Sequence, residues 1–237
     1  MEGWRARIGL VYPADGTLDD EYWHLVPPGV TIHITRIEVP PEDVTVGLVT
    51  AQAESKDIET AAKHLTIIQP HVIAYACTSG SFIKGVGYDE EIISRIEGAT
   101  GVPATTTSTA SVKALRALGV KKVAVAAPYL EEINLRLRAF LEGNGFEVVT
   151  FKGLQAKRGI YMIPSEASYR LAKEADDPRA EAVFISCTAF RTLEILEALE
   201  EDLGKPVVTA NQATMWESLR LAGVSPKLEG VGRLYRL

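Results

Sequence analysis

Residues 71–82 read HVIAYACTSGSF, and residues 182–192 read AVFISCTAFRT. Each is a run of apolar residues that stops at a Cys-Thr pair, and Cys77 and Cys187 are the only two cysteines in 237 residues. A short run that is apolar on both faces reads as a strand of a parallel sheet, covered by helices above and below. The same sentence written twice, with a thiol at the same place in each, makes the rest of the chain worth reading as a repeat.

Working outward, further strand-like runs appear at 6–13, 30–37, 121–128, 146–151 and 206–210. Between them lie helical patterns. LEEINLRLRAFLEG (130–143) puts Ile133, Leu137, Phe140 and Leu141 on one face before Asn144-Gly145 ends it. RTLEILEALEEDLG (191–204) carries Leu193, Leu196 and Leu199 and closes at Gly204. SVKALRALG (111–119) ends on Gly119, where a left-handed cap is wanted. Alternating strand and helix predicts an α/β fold. The order of signals then repeats. ARIGLVYP, Cys77-Thr78 and GVPATTTSTA in the first half answer to KKVAVAAPY, Cys187-Thr188 and GKPVVTANQA in the second. The cysteines lie 110 residues apart and the two Gly-x-Pro elements 103 apart. The expectation is two pseudo-symmetric lobes, each a parallel sheet flanked by helices, with an active site in the cleft between them. The first lobe takes 1–112 plus 213–237, where MWESLRLAG (215–223) reads as a closing helix, and the second takes 113–212.

Composition narrows the classes. The chain is 46% hydrophobic and 24% charged, and its net charge of −6 is spread without long blocks. A nucleic-acid binder would need a basic stripe, and no run approaches the roughly 18 apolar residues of a membrane span. MEGWRARIGLVYP reads as a first strand rather than a signal peptide. The cytoplasm, where thiols stay reduced, is the expected compartment. There is no C-x-x-C, and His24, His33, His64 and His71 show no zinc-ligand spacing, so no metal and no organic cofactor is expected.

A free cysteine by itself packs as a small hydrophobe. The matched positions argue for chemistry instead. In open parallel sheets ligands bind beyond the carboxyl ends of the strands, and each cysteine stands there, ahead of an expected helix start that would favour a thiolate or a bound carboxylate. Two thiols facing one substrate from opposite sides can exchange a proton across it, or one can add to a double bond while the other supplies a proton. Thr78, Ser79 and Thr188 offer hydroxyls beside them for developing negative charge. Gly16, in the PADGT loop, Tyr129 and Asn211 each end a strand on the same edge and complete the candidate substrate-binding set. Arg191 reads either as a carboxylate partner or as one half of a surface ion pair.

These residues resemble the aspartate/glutamate racemase superfamily, in which each of two related lobes supplies a cysteine or its replacement. EYWHLVPPGVTIHITRI (21–37), ISCTAFRT (185–192) and ANQATMWESLRLAG (210–223) are similar to maleate cis-trans isomerases. PADG (13–16), ATGVPATTTSTA (99–110), ALRALGVKKVAVA (114–126) and YLEEINLRLRAFL (129–141) are similar to arylmalonate decarboxylase. The resemblance implies a cofactor-independent enzyme acting on a small carboxylic acid, with Cys77 and Cys187 catalytic and Thr78, Ser79 and Tyr129 binding a carboxylate. Two activities stay open. One is a two-cysteine isomerase or racemase; the other is a decarboxylase of substituted malonates in which Cys187 alone delivers a proton. A carboxylate-binding protein without turnover is a third reading. The chain departs from the decarboxylase in having Cys77 where that enzyme has glycine. It departs from maleate isomerases in having Asp15 and Ala189 where they carry asparagine. The expected partner is a small carboxylate, with neither nucleic acid nor membrane, and a homo-oligomer is compatible with the sequence.

Overall fold

β1 (Ala6–Pro13) and β5 (Lys122–Ala127) each run through the middle of a four-stranded parallel sheet. The computed structural model describes residues 3–40 and 42–237. In the first sheet β1 is flanked by β2 (Val30–Ile37) and β3 (Val72–Tyr75), and β4 (Ala104–Thr106) lies beyond β3. The second sheet repeats that order, with β6 (Glu147–Gly153) and β7 (Ala182–Ile185) beside β5 and β8 (Val207–Thr209) at the far edge. Every pairing is parallel. β3 and β7 are buried at all four positions, which is what their unbroken apolar runs require. The two-sheet, two-lobe architecture anticipated from the repeat is therefore the fold.

The shared strand order places the site. From β1 the chain moves out to β2 on one side, then returns to lay β3 on the other. The switch point where a crevice opens thus lies between the carboxyl ends of β1 and β3, and again between β5 and β7. PADG leaves the end of β1, and Cys77 and Cys187 leave the ends of β3 and β7.

Helices join the lobes. The edge strands pass directly into α6 (Thr107–Ala117) and α10 (Ala210–Leu221), because Thr106 and Thr209 cap them by accepting from the N–H groups of Thr109 (3.1 Å) and Gln212 (3.4 Å). α6 and α10 pack on each other, and small residues on both let them approach until the Thr214 hydroxyl donates to Thr107 Oγ1 at 2.9 Å. α10 also lies against β1, β3 and β4 of the first sheet. Gly119 and Gly204, with φ of 74° and 68°, end their helices in the left-handed turn that a side chain would resist.

The repeat breaks at one place that matters. Cys77 caps α4 (Thr78–Phe82), as anticipated. After Cys187 no helix starts: a turn spans 188–190, a single 3₁₀ turn covers Leu193–Ile195, and α9 (Leu196–Leu203) follows only then. A cross-lobe carboxylate takes the N–H groups that a helix start would have left free. Glu21, on α1 (Asp19–His24), accepts from the N–H groups of Thr192 (2.6 Å) and Leu193 (2.9 Å) and from Asn211 Nδ2 (2.7 Å). No helix among the described residues is long and apolar enough to cross a membrane.

Candidate active site

Cys77 and Cys187 line one narrow cavity of about 50 Å³ between the lobes, 6% and 8% exposed. Gly16, Thr78, Ser79, Tyr129 and Thr188 line it too, so seven of the eight residues singled out from sequence converge. Asn211 is the exception. It is buried behind the wall, where its Nδ2 donates to Glu21 and to the carbonyl of Thr188 (3.2 Å). It follows β8 close to the cavity, and its amide holds the wall instead of facing the cavity.

The two thiols have matching surroundings built from different residues. Beside Cys77 stand the Ser79 hydroxyl (3.9 Å), the Tyr75 hydroxyl and the backbone N–H of Gly80. Beside Cys187 stand the Tyr129 hydroxyl and the N–H of Ala189. Burial outweighs these donors. It raises the Cys77 thiol above its ordinary range and, with the negative charge of Asp15 acting in the same direction on both, pushes Cys187 up to about 12. The empty site at neutral pH therefore holds two protonated thiols, with donors already aimed at whichever sulfur loses its proton.

Gly80 is there for space. A Cβ on it would stand 2.4 Å from the Tyr75 hydroxyl and 3.1 Å from Cys77 Sγ, so no other residue lets both approach the backbone. Gly16 serves likewise under the ring of Tyr12, which a Cβ would meet at 2.2 Å. The turn after Cys77 is pinned from below by Ser81, whose hydroxyl reaches the carbonyls of Cys77 (2.8 Å) and Thr78 (2.9 Å).

The backbone of the second thiol is less usual. Cys187 has φ of 97°, one of three non-glycine residues among those described with positive φ, while Cys77 is ordinary extended backbone at −142°. Such a conformation costs about 1–3 kcal/mol and persists where surrounding bonds impose it. Here they cross the cleft. Tyr12 donates its hydroxyl to the Thr188 carbonyl (2.8 Å), and the Thr188 hydroxyl donates to the Ala76 carbonyl (3.1 Å). The Thr188 hydroxyl is thus occupied in joining the lobes. Thr78 Oγ1, by contrast, is buried and makes no hydrogen bond to another group among the described residues.

Residues that the sequence reading did not single out as contacts complete the cavity. Asp15 lines it, as do Tyr12 and Ala189. An apolar wall comes from Val39, Val44 and Ile160 and from Leu48 and Val49 on α2 (Val46–Glu54). Asp15 and Ala189 were legible as departures from the asparagines of maleate isomerases; the wall residues are ordinary aliphatics far away in sequence. Asp15, Val39 and Val44 also line a second, wider pocket of about 480 Å³. Arg191 makes a surface ion pair with Asp20 (2.8 Å) and does not reach the cavity.

Comparison with known proteins agrees with this geometry. Residues 43–235 match the family model of arylmalonate decarboxylase. The chain belongs to that family. It is 32% identical to the arylmalonate decarboxylase of Bordetella bronchiseptica, over 80% of this chain and 82% of that protein. It is also 29% identical to the maleate isomerase of Nocardia farcinica, over 97% and 95%. Among solved structures, a doubly substituted arylmalonate decarboxylase in its liganded form superposes with a TM-score of 0.87 at 30% identity, covering 97% of this chain and 98% of that one. In that variant a glycine is replaced by cysteine and a cysteine by serine. Relatives of both kinds are enzymes, so membership in the family carries an enzyme, and leaves two chemistries between which the residues must decide.

Proposed function

We propose that this protein is a cofactor-independent isomerase or racemase of a small carboxylic acid, working through Cys77 and Cys187. The observation that carries the proposal is the meeting of both thiols, from two repeated strand ends, in one cavity too small for anything but a small molecule. The substrate carboxylate sits at Thr78 and Ser79, where a buried hydroxyl waits without a partner. Donors there strengthen as charge spreads onto the carboxylate oxygens in the transition state.

In the proton-transfer version, one of the two thiols first loses its proton to solvent, and the resulting thiolate removes the hydrogen from the carbon beside the carboxylate. The electron pair moves into an enediolate, and the opposite thiol returns a proton to the other face. The substrate is inverted, and the two sulfurs have exchanged protonation state. In the addition version, which matches the activity named for the N. farcinica relative, the thiolate adds to one alkene carbon, and the displaced electron pair at the neighbouring carbon takes a proton from the opposite thiol. The carbon–carbon bond, now single, rotates; the opposite sulfur takes the proton back, and the returning pair expels the first sulfur, restoring the alkene in the other geometry. Gly80 N–H and Tyr75 on one side, and Ala189 N–H and Tyr129 on the other, stabilise the thiolate in either case.

The second reading is decarboxylation of a substituted malonate. The family match and the apolar wall favour it, because an apolar wall destabilises a carboxylate held against it. Cys77 separates the two. An isomerase needs a group on each face, so Cys77→Gly and Cys187→Gly should both abolish turnover. A decarboxylase needs only Cys187, and Cys77→Gly should keep releasing CO₂. NMR in D₂O on maleate, amino acids and arylmalonates reads the outcome. CO₂ release that survives Cys77→Gly, from a parent protein with no isomerase or racemase activity, would replace the first reading by the second.

A further inference from the structure

The wall that α2 presents to the cavity has one polar side chain in it. Leu48, Val49 and Gln52 all line the chamber of the two thiols, and their spacing puts them on one face of the helix. Leu48 and Val49 are apolar, whereas Gln52 carries an amide. Its Nε2 is buried and makes no hydrogen bond to another group among the described residues, and the same holds for Thr78 Oγ1 in the same chamber. No other described side chain that lines the chamber leaves a buried nitrogen or oxygen unbonded.

The start of α2 is held in place from both lobes. Thr45 caps the helix by accepting from the Leu48 N–H (3.2 Å). From the second lobe, Glu132 accepts from the Val46 N–H (3.2 Å) and the Lys157 carbonyl from the Val44 N–H (2.7 Å). α2 also packs on α4, whose first two residues are Thr78 and Ser79. The amide and the two hydroxyls thus reach one chamber from two neighbouring helices.

A primary amide taken from water without a partner destabilises the folded protein, and an acceptor on a ligand removes that cost. Nε2 can only donate, and it shares the chamber with hydroxyl donors. In about 50 Å³ one small anion meets all of them together. An oxygen that carries negative charge gains more from such donors than a neutral one does.

Resting on the two-thiol reading above, we propose that Gln52 is a substrate-binding residue: its amide donates to one oxygen of the carboxylate whose other oxygen is held at Thr78 and Ser79. Gripped from α2 and from α4, the carboxylate has its plane fixed, and with it the face that each thiol meets. The donor strengthens as negative charge spreads onto the carboxylate oxygens in the transition state.

The test reads the amide itself. Acetate is titrated into the intact ¹⁵N-labelled protein, with the Gln52 side-chain N–H signals assigned through its own backbone. Those signals and the backbone amides of Ser79 and Gly80 should move along one binding curve with a single Kd. Gln52→Leu keeps the bulk and removes the donor, and should weaken acetate about tenfold or more, the size of one charge-assisted hydrogen bond. Gln52→Glu places a like charge there and should weaken it further. Gln52 signals that stay still while Ser79 and Gly80 shift would overturn the proposal. So would acetate that moves neither set, or that binds Gln52→Leu as tightly as the parent protein. A separate curve for Gln52 would also overturn it, because Leu48 and Gln52 line a second pocket of about 200 Å³ beside Ile37 and Pro40. The parent protein's own signals settle the matter even where a variant fails to fold. Binding is read without turnover, so the two readings fail separately. CO₂ release that survives Cys77→Gly, with Gln52 still responding to acetate, would remove the two-thiol chemistry and leave the role of Gln52. Two-thiol turnover with a silent Gln52 would do the reverse.

Discussion

At the scale of single residues, the two cysteines share a sequence motif and a cavity but not a backbone. Cys77 is extended at φ −142°, whereas Cys187 is held at 97°. The same substitution should therefore act with different sign. Cys77→Gly adds chain entropy to the unfolded state and removes a packed sulfur, a loss of about 1–2 kcal/mol. Cys187→Gly loses the sulfur as well, but glycine accepts that φ freely, and relief of about 1–3 kcal/mol of strain offsets the loss. Urea unfolding should rank Cys187→Gly above Cys77→Gly; the opposite order would mean that the backbone at Cys187 is not strained. The thiols also make stability depend on pH. The Cys187 pKa lies near 9 when unfolded and about 12 when folded. A thiol whose folded pKa is raised contributes stability that is complete below pH 9 and is lost as pH climbs toward 12. The loss approaches about 1.4 kcal/mol per pH unit. Cys187→Ala should flatten this alkaline decline relative to the parent protein, and parallel curves would contradict the placement of the thiol in a desolvated site.

At the scale of elements, the strand ends were legible and the segments that close the site were not. β1, β3, β5 and β7 announce themselves as unbroken apolar runs because both faces are covered. β4 is only three residues, and ATTTSTA carries the strand, the Thr106 cap and the first turn of α6 within seven letters, so it read as a repeat marker rather than a strand. α2 supplies Leu48 and Val49 to the cavity, yet VGLVTAQAE has apolar residues on several faces and no clean helical stripe to reveal it. The missing helix after Cys187 was unreadable for a different reason. What replaces it is Glu21, some 170 residues away, which holds Thr192 and Leu193 from the other lobe. Glu21→Leu keeps the bulk and removes the acceptor, leaving two N–H groups without a partner and the Asn211 amide with the Thr188 carbonyl alone. That should cost about 3 kcal/mol or more. Hydrogen exchange at the Thr192 and Leu193 amides should accelerate well beyond that of the β-strands. Unchanged exchange there would show that the turn after Cys187 is held by something other than this carboxylate.

At the scale of the whole molecule, the repeat produces two sheets with identical strand order, and the question is whether they behave as two units. The bonds that cross between them say not. Tyr12 to Thr188 and Thr188 to Ala76 join the lobes at the very strand ends that carry the thiols, Glu21 ties α1 to the loop after β7, and α6 packs on α10. Most of these groups are buried, so neither lobe could open without exposing unpaired polar atoms of the other. We expect equilibrium unfolding in urea to be one transition, with tryptophan fluorescence, in which buried Trp216 on α10 reports beside the exposed Trp4 and Trp23, coinciding with far-ultraviolet circular dichroism, which samples both sheets. A ligand lodged between Cys77 and Cys187 touches both lobes, so it should move that single transition upward by the amount its concentration and affinity dictate. Two separable transitions, with ligand shifting only one, would mean that one sheet can unfold while the other stays folded. The bonds from Tyr12 to Thr188 and from Thr188 to Ala76 would then fail to couple the lobes, and the backbone at Cys187 would have to be held by its own lobe alone.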